Sequence, residues 1–220
     1  MYIGINVGDD RTFVITEMNE NKEVVNITKF WKEGLLWYIE HNRPRIISID
    51  SPLFLSKNIT KAEEQLGIER NPKEEELPLE VKYSVELVNK LISLFNFEIA
   101  NEKNYLDKEK KLISRVFPEA FFKKIVRKEL LPISSREGIE QRLYNLKKTG
   151  IELDKNILSK NKKTLIRELK SIIGAFNSYS IDNNLVEIFG SEEECQIFVP
   201  KYRFASRGRV IRHSKKHKDT

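Results

Sequence analysis

Asp50 closes a short apolar run, Ile46-Ile47-Ser48-Ile49, and Asn6 sits inside another, Tyr2 to Val7. If the two runs are neighbouring strands of one sheet, these polar side chains meet near one end of it. Acidic side chains converging at such a point, joined by others from helices, hold two divalent cations that activate water and stabilise the leaving oxygen of a phosphodiester. The chemistry calls for carboxylates because the ions are hard, doubly charged and prefer oxygen ligands. Asp50 supplies a charge, whereas Asn6 offers an oxygen without one. Asp9 and Asp10, in the turn after the first run, lie beside the same point. Each also has a simpler role: Asp50 as a loop cap before Pro52, Asn6 as a strand hydrogen bonder, and Asp9 with Asp10 as turn residues.

The elements that must position these groups follow from spacing. Tyr2 to Val7, Thr12 to Met18 and Val24 to Thr28 are β-rich and separated by turn signals, Gly8-Asp9-Asp10 and Asn19-Glu20-Asn21, which predicts a three-strand meander. Phe30, Trp31, Leu35, Leu36, Trp37 and Ile39 recur at helical spacing up to Arg43-Pro44, ahead of the strand that ends at Asp50. A polar, acidic stretch follows, with a short helix near 60 to 67 and an amphipathic helix from Val81 to Phe95. We read residues 56 to 111 as an insertion. Leu112 to Phe117 predicts another strand, and Pro118 opens a helix over 119 to 128. Ser134-Ser135 caps a helix through Lys148 that stops at Gly150. Lys162 to Ser180 forms the last long helix, with Val186 to Phe189 and Gln196 to Val199 as closing strands.

Tight turns make the first three strands antiparallel, while helical crossovers make the later ones parallel. The expected fold class is therefore α/β, a mixed sheet with helices on both faces, in the order of an RNase-H-like domain. A resemblance points the same way. Tyr2 to Gly8 (YIGINVG), Ile46 to Leu55 (IISIDSPLFL), Val116 to Phe121 (VFPEAF), Ile133 to Leu146 (ISSREGIEQRLYNL) and Ser171 to Tyr179 resemble, in order and spacing, the family named domain of unknown function four-two-nine. Its members are regarded as predicted RNase-H-like nucleases, and the resemblance covers roughly residues 1 to 180.

The resemblance implies Asp50 and Glu119 as catalytic acids, with Asn6, Asp50 and Glu119 as ligands of Mg2+ or Mn2+. Asn6 stands where that family usually has aspartate. On the last helix, Lys170 stands where it tends to carry another. Glu168, Asp9 and Asp10 are accessory candidates, and Lys170 either points to solvent or brings its ammonium to Asp50 and Glu119. Glu119 also suits the start of a helix for its dipole alone. With two carboxylates left to face two ions, charge balance favours at most one weakly held cation, Mn2+ before Mg2+.

The chain has 220 residues with 39 Lys and Arg against 33 Asp and Glu, a net +6. Residues 201 to 220 hold eight of the bases and one acid, so all of the excess lies in a basic tail. Arg203, Arg207, Arg209, Arg212, Lys215 and Lys216 are its candidate contacts to nucleic-acid phosphate, against the alternative of a solvated appendage. The first 200 residues read as a single domain. No stretch has the length and apolarity of a membrane span, the start lacks a signal-peptide pattern, and the lone Cys195 cannot form an internal disulfide. A cytoplasmic location is the expectation. His41, His213 and His217 lack metal-ligand spacing, Cys195 reads as core, and Trp31 and Trp37 read as packing residues.

Three functions compete. The first is an RNase-H-fold, metal-dependent nuclease weakened by missing acids, and the second a noncatalytic nucleic-acid-binding or interaction protein on the same fold. The third takes Ile3 to Gly8 as the phosphate-binding hairpin of an actin-like nucleotide-binding protein, which would need a second such hairpin that this chain lacks.

Overall fold

A computed structural model describes residues 1 to 55, 59 to 68, 77 to 126 and 129 to 201. The tail residues Arg203, Arg207, Arg209, Arg212, Lys215 and Lys216 lie outside the described residues. Strands β1 (Tyr2–Val7), β2 (Thr12–Met18) and β3 (Val24–Trp31) form the expected antiparallel meander, but β3 runs past the expected end at Thr28: Phe30 and Trp31, read as helical, pair with Phe13 and Thr12 of β2. The chain then runs through α1 (Lys32–Asn42), β4 (Ile46–Asp50), α2 (Lys61–Gln65), α3 (Leu79–Phe95), β5 (Phe97–Ile99) and β6 (Lys111–Arg115). Helices α4 (Pro118–Ile125), α5 (Arg136–Lys148) and α6 (Lys162–Asp182) precede β7 (Val186–Phe189) and β8 (Ile197–Pro200). One mixed sheet results, in the order β3-β2-β1-β4-β6-β8-β7, with β5 pairing along the first part of β6.

Local chemistry sets most of these boundaries. The β1–β2 turn closes by a Gly8 N to Thr12 O bond of 2.9 Å, and Asp10 Oδ1 accepts from both the backbone N–H and the hydroxyl of Thr12. Arg43 and Asn96 end α1 and α3 in the left-handed conformation. Thr60 and Glu63 form a reciprocal capping box at α2, Pro118 opens α4, and Ser135 caps α5 through Gly138 N. The residue pattern predicts no strand between 50 and 112. β5 is only three residues long and follows α3 directly, too short for an alternating pattern to register.

Helices cover both faces. On one, Leu169, Ile172, Ile173 and Phe176 of α6 pack with Phe121, Phe122 and Ile125 of α4 and with Ile139 and Leu146 of α5. On the other, Leu35 and Ile39 of α1 and Leu87, Val88 and Leu91 of α3 cover Ile3, Ile5, Ile47 and Ile49. α3, inside the stretch read as an insertion, is thus part of this second layer. α6 approaches β1 so closely that a Cβ on Gly4 would lie 2.0 Å from the backbone N of Ala175 and O of Ser171. That backbone-to-backbone contact fixes the height of α6 along β1, and so which α6 side chains reach the strand end.

Candidate functional site

β1, β4 and β6 are mutually parallel, so their C-terminal ends open together. They meet a cleft of about 410 Å3 whose polar lining includes Asp9, Asp50, Glu80, Arg115, Arg167 and Lys170. In the parallel register Asn6 is the partner of Asp50, and Asn6 Nδ2 donates to Asp50 Oδ2 at 3.1 Å. The strand crossover therefore brings together the two residues singled out first in the sequence.

α6 runs over this point as a polar ladder. Arg167, Ser171, Gly174 and Ser178 fall on one stripe, at intervals of three and four, against β1. Arg167 Nε donates to Asn6 Oδ1 at 2.9 Å, Ser171 shares a hydrogen bond with Thr16, and Ser178 donates to Ile3 O. Lys170 and Asn177, one stripe over, face β4. Lys170 Nζ lies 3.5 Å from Asp50 Oδ2, and Asn177 donates to Ser48 and Ser114. The Asp50 carboxylate raises the pKa of Lys170 above the ordinary lysine value, outweighing desolvation, with Glu119 and Glu80 adding smaller contributions in the same direction. Of the two roles expected for Lys170, the inward one is the one observed.

Arg167 was not anticipated, although it sits one turn before Lys170 and shares its helix end. Besides Asn6, its guanidinium donates to the Thr12 carbonyl at 2.7 Å, the Thr12 hydroxyl at 2.9 Å and Asp10 Oδ1 at 3.2 Å. A Cβ on Gly8 would stand 2.5 Å from Arg167 Nη2, so the glycine makes room for it. Burial would raise the Asp10 pKa, but hydrogen bonds from Thr12 and Lys29 and the charge of Arg167 outweigh it and hold the carboxyl well below the usual range. The cations that Asp10 reaches are thus side chains, the Arg167 guanidinium at 3.2 Å and the Lys29 ammonium at 3.1 Å. Asp9 faces Lys163 across 3.6 Å, both side chains exposed.

The remaining candidates are placed elsewhere. Glu119, in the first turn of α4, does not line the cleft; its Oε2 accepts from Arg142 Nη2 at 2.7 Å, while its buried Oε1 has no partner. Glu168 is buried and accepts from Ser159 N at 2.8 Å, its pKa raised by desolvation, so it does not replace Lys170. A buried ion pair, Arg115 with Glu63 at 2.7 Å, adds a second guanidinium to the cleft wall. Cys195 is buried as expected, and burial pushes its thiol up to about 12. The tryptophans are not packing residues: Trp37 is 60% exposed because Leu35, Tyr38 and Ile39 form the inward side of α1, and Trp31, at the end of the edge strand β3, is 63% exposed.

These residues do not fit a pair of divalent cations. Both ends of the Asn6 amide are committed, its oxygen to Arg167 and its nitrogen to Asp50, and the Lys170 ammonium lies against the same Asp50 oxygen, Oδ2. Among the described residues no group of three or more His, Cys, Asp or Glu is arranged to hold a metal ion. No described helix is long and apolar enough to cross a membrane. Comparison of the chain with family models, with curated proteins and with solved structures finds no match.

Proposed function

We propose that the chain is a noncatalytic nucleic-acid-binding protein on an RNase-H-like fold, one that holds phosphate at the strand-end cleft with organic cations in place of Mg2+ or Mn2+. The observation that carries this reading is the Lys170 ammonium 3.5 Å from Asp50, with the Arg167 guanidinium on Asn6 beside it. Two fixed cations supply +2 where two divalent metal ions would supply +4, and neither can lower the pKa of a bound water enough to make a nucleophile. Without that nucleophile the cleft can bind a phosphodiester and leave it intact.

Further support comes from the cleft wall. The N–H groups of Lys170 and Arg115, and of the exposed Lys163, are donors suited to phosphate oxygens. The family resemblance supports the fold, and its two departures, Asn6 and Lys170, are the positions where the cations enter. The basic tail would add sequence-independent attraction to polyanions. Cleavage assays on single- and double-stranded DNA and RNA with Mg2+ or Mn2+, beside binding measurements on the same substrates, test the proposal. Binding without cleavage is expected. Brisk metal-dependent cleavage that is lost in Asp50→Ala would overturn it.

A further inference from the structure

A second hollow, also of about 410 Å3, is lined by Arg11 of the β1–β2 turn with Phe13, Trp31, Lys32, Glu33, Tyr83 and Glu86. The two hollows share elements. Gly8 and Asp9 line the first and Arg11 the second; Glu80 and Val81 of α3 line the first and Tyr83 and Glu86 the second. Along α3 the residues that line the two hollows, Val81 and Tyr83, are two positions apart.

The chemistry changes across that short distance. In the second hollow Arg11 and Lys32 balance Glu33 and Glu86, with Lys32 Nζ 2.6 Å from Glu86 Oε1, so it has no excess charge with which to attract phosphate. It has planar groups instead. Arg11 takes a left-handed backbone at φ 60°, Arg11 Nε donates to the Tyr83 hydroxyl at 3.0 Å, and its guanidinium carbon lies 5.6 Å from the centre of the Tyr83 ring. The guanidinium is thereby held against Tyr83 in the wall of the hollow. Trp31, at the end of β3, is 63% exposed although it is among the largest apolar side chains of the protein. An indole and a guanidinium plane, with carboxylate acceptors and an ammonium donor nearby, are what an unpaired nucleobase uses for stacking and for its polar edge.

We propose that this hollow is a base-stacking subsite for single-stranded nucleic acid, taking an unpaired base against Trp31 and Arg11 while the adjoining phosphate lies in the strand-end cleft. The inference rests on the phosphate-binding reading of that cleft and adds to it a preference for unpaired strands. A base within a duplex already stacks on its neighbours and cannot enter.

The test uses the full chain carrying Trp37→Phe, which leaves Trp31 as the sole tryptophan. A hexathymidylate strand, the same strand with all bases removed, and inorganic phosphate are titrated while indole fluorescence and strand anisotropy are recorded. Hexathymidylate should quench Trp31 and bind roughly tenfold tighter than the abasic strand, the scale of one stacked base. Trp31→Ala and Arg11→Gln, both at surface positions, should each remove most of that advantage and leave abasic binding unchanged. Equal affinity for the two strands, with no quenching, overturns the stacking subsite while the phosphate reading stands. Failure of all three probes to bind overturns both.

Discussion

Replacing Lys170 by methionine keeps an unbranched side chain as far as Cε and removes the ammonium that faces Asp50. At 3.5 Å the pair attracts by about 5 kcal/mol if the effective dielectric is near 20. Desolvating and ordering the lysine offsets much of this, by about 2 kcal/mol for its rotamers alone. In the variant, Asp50 keeps the Asn6 hydrogen bond but remains only 11% exposed, a charge held away from water without its counterion. Removing one partner of a fully buried pair costs about 3–5 kcal/mol; with Lys170 one-third exposed, the expected loss for Lys170→Met is about 2 kcal/mol. Asp50→Asn in the same background should recover part of it, so a double-mutant cycle by urea denaturation isolates the pair. The pH dependence fixes the sign. Because the folded-state pKa of Lys170 is raised, its stabilisation is complete below the ordinary lysine value, about 10.4, and disappears as pH climbs through the folded value. The gap between wild type and Lys170→Met should therefore be full at pH 7 and narrow above about pH 10.5. A variant as stable as wild type at pH 7, or a gap that does not change with pH, would refute the placement of the ammonium on Asp50.

Other outcomes follow from the same geometry. Asp10 has a depressed pKa, so its stabilisation is present above the unfolded value near 3.9 and lost as pH falls toward the folded one; acid titration of Asp10→Asn should show a flatter limb below about pH 4 than wild type. Gly4→Ala puts a methyl group 2.0 Å from the backbone of α6, and its urea midpoint should report a loss of at least about 1–3 kcal/mol, the usual cost of overpacking. Arg115→Met leaves Glu63, 1% exposed, without its guanidinium and should cost about 3 kcal/mol by the same measurement. Truncation after Lys201 should flatten the slope of log affinity against log salt by about 0.7–0.9 for each phosphate contact the tail makes.

Much of this arrangement is legible in the residues themselves. β-rich runs and turn signals in Tyr2 to Thr28 announce a meander, and a helical crossover to Ile46 to Asp50 forces the parallel pairing that joins Asn6 to Asp50. What periodicity does not carry is where two backbones touch. Gly4 against Gly174 sets α6 at the height that delivers Arg167 and Lys170 together, and a glycine in a strand does not reveal which helix will lie on it. The same limit explains Glu119, whose helix-start position is readable but whose partner, Arg142, comes from another helix 23 residues on. Hydrophobicity alone does not distinguish the inward side of α1, which is Leu35, Tyr38 and Ile39, from the outward side that carries Trp37, nor does it show that Trp31 ends an edge strand.

The central claim is that side-chain cations, and not metal ions, serve the strand-end cleft. The most direct measurement is the affinity of the full chain for a labelled single strand at fixed ionic strength, in excess EDTA and again in millimolar Mg2+ or Mn2+. The account predicts equal affinity in all three, and weaker binding for Lys170→Met in each. Binding that vanishes in EDTA and returns with Mn2+ would contradict it.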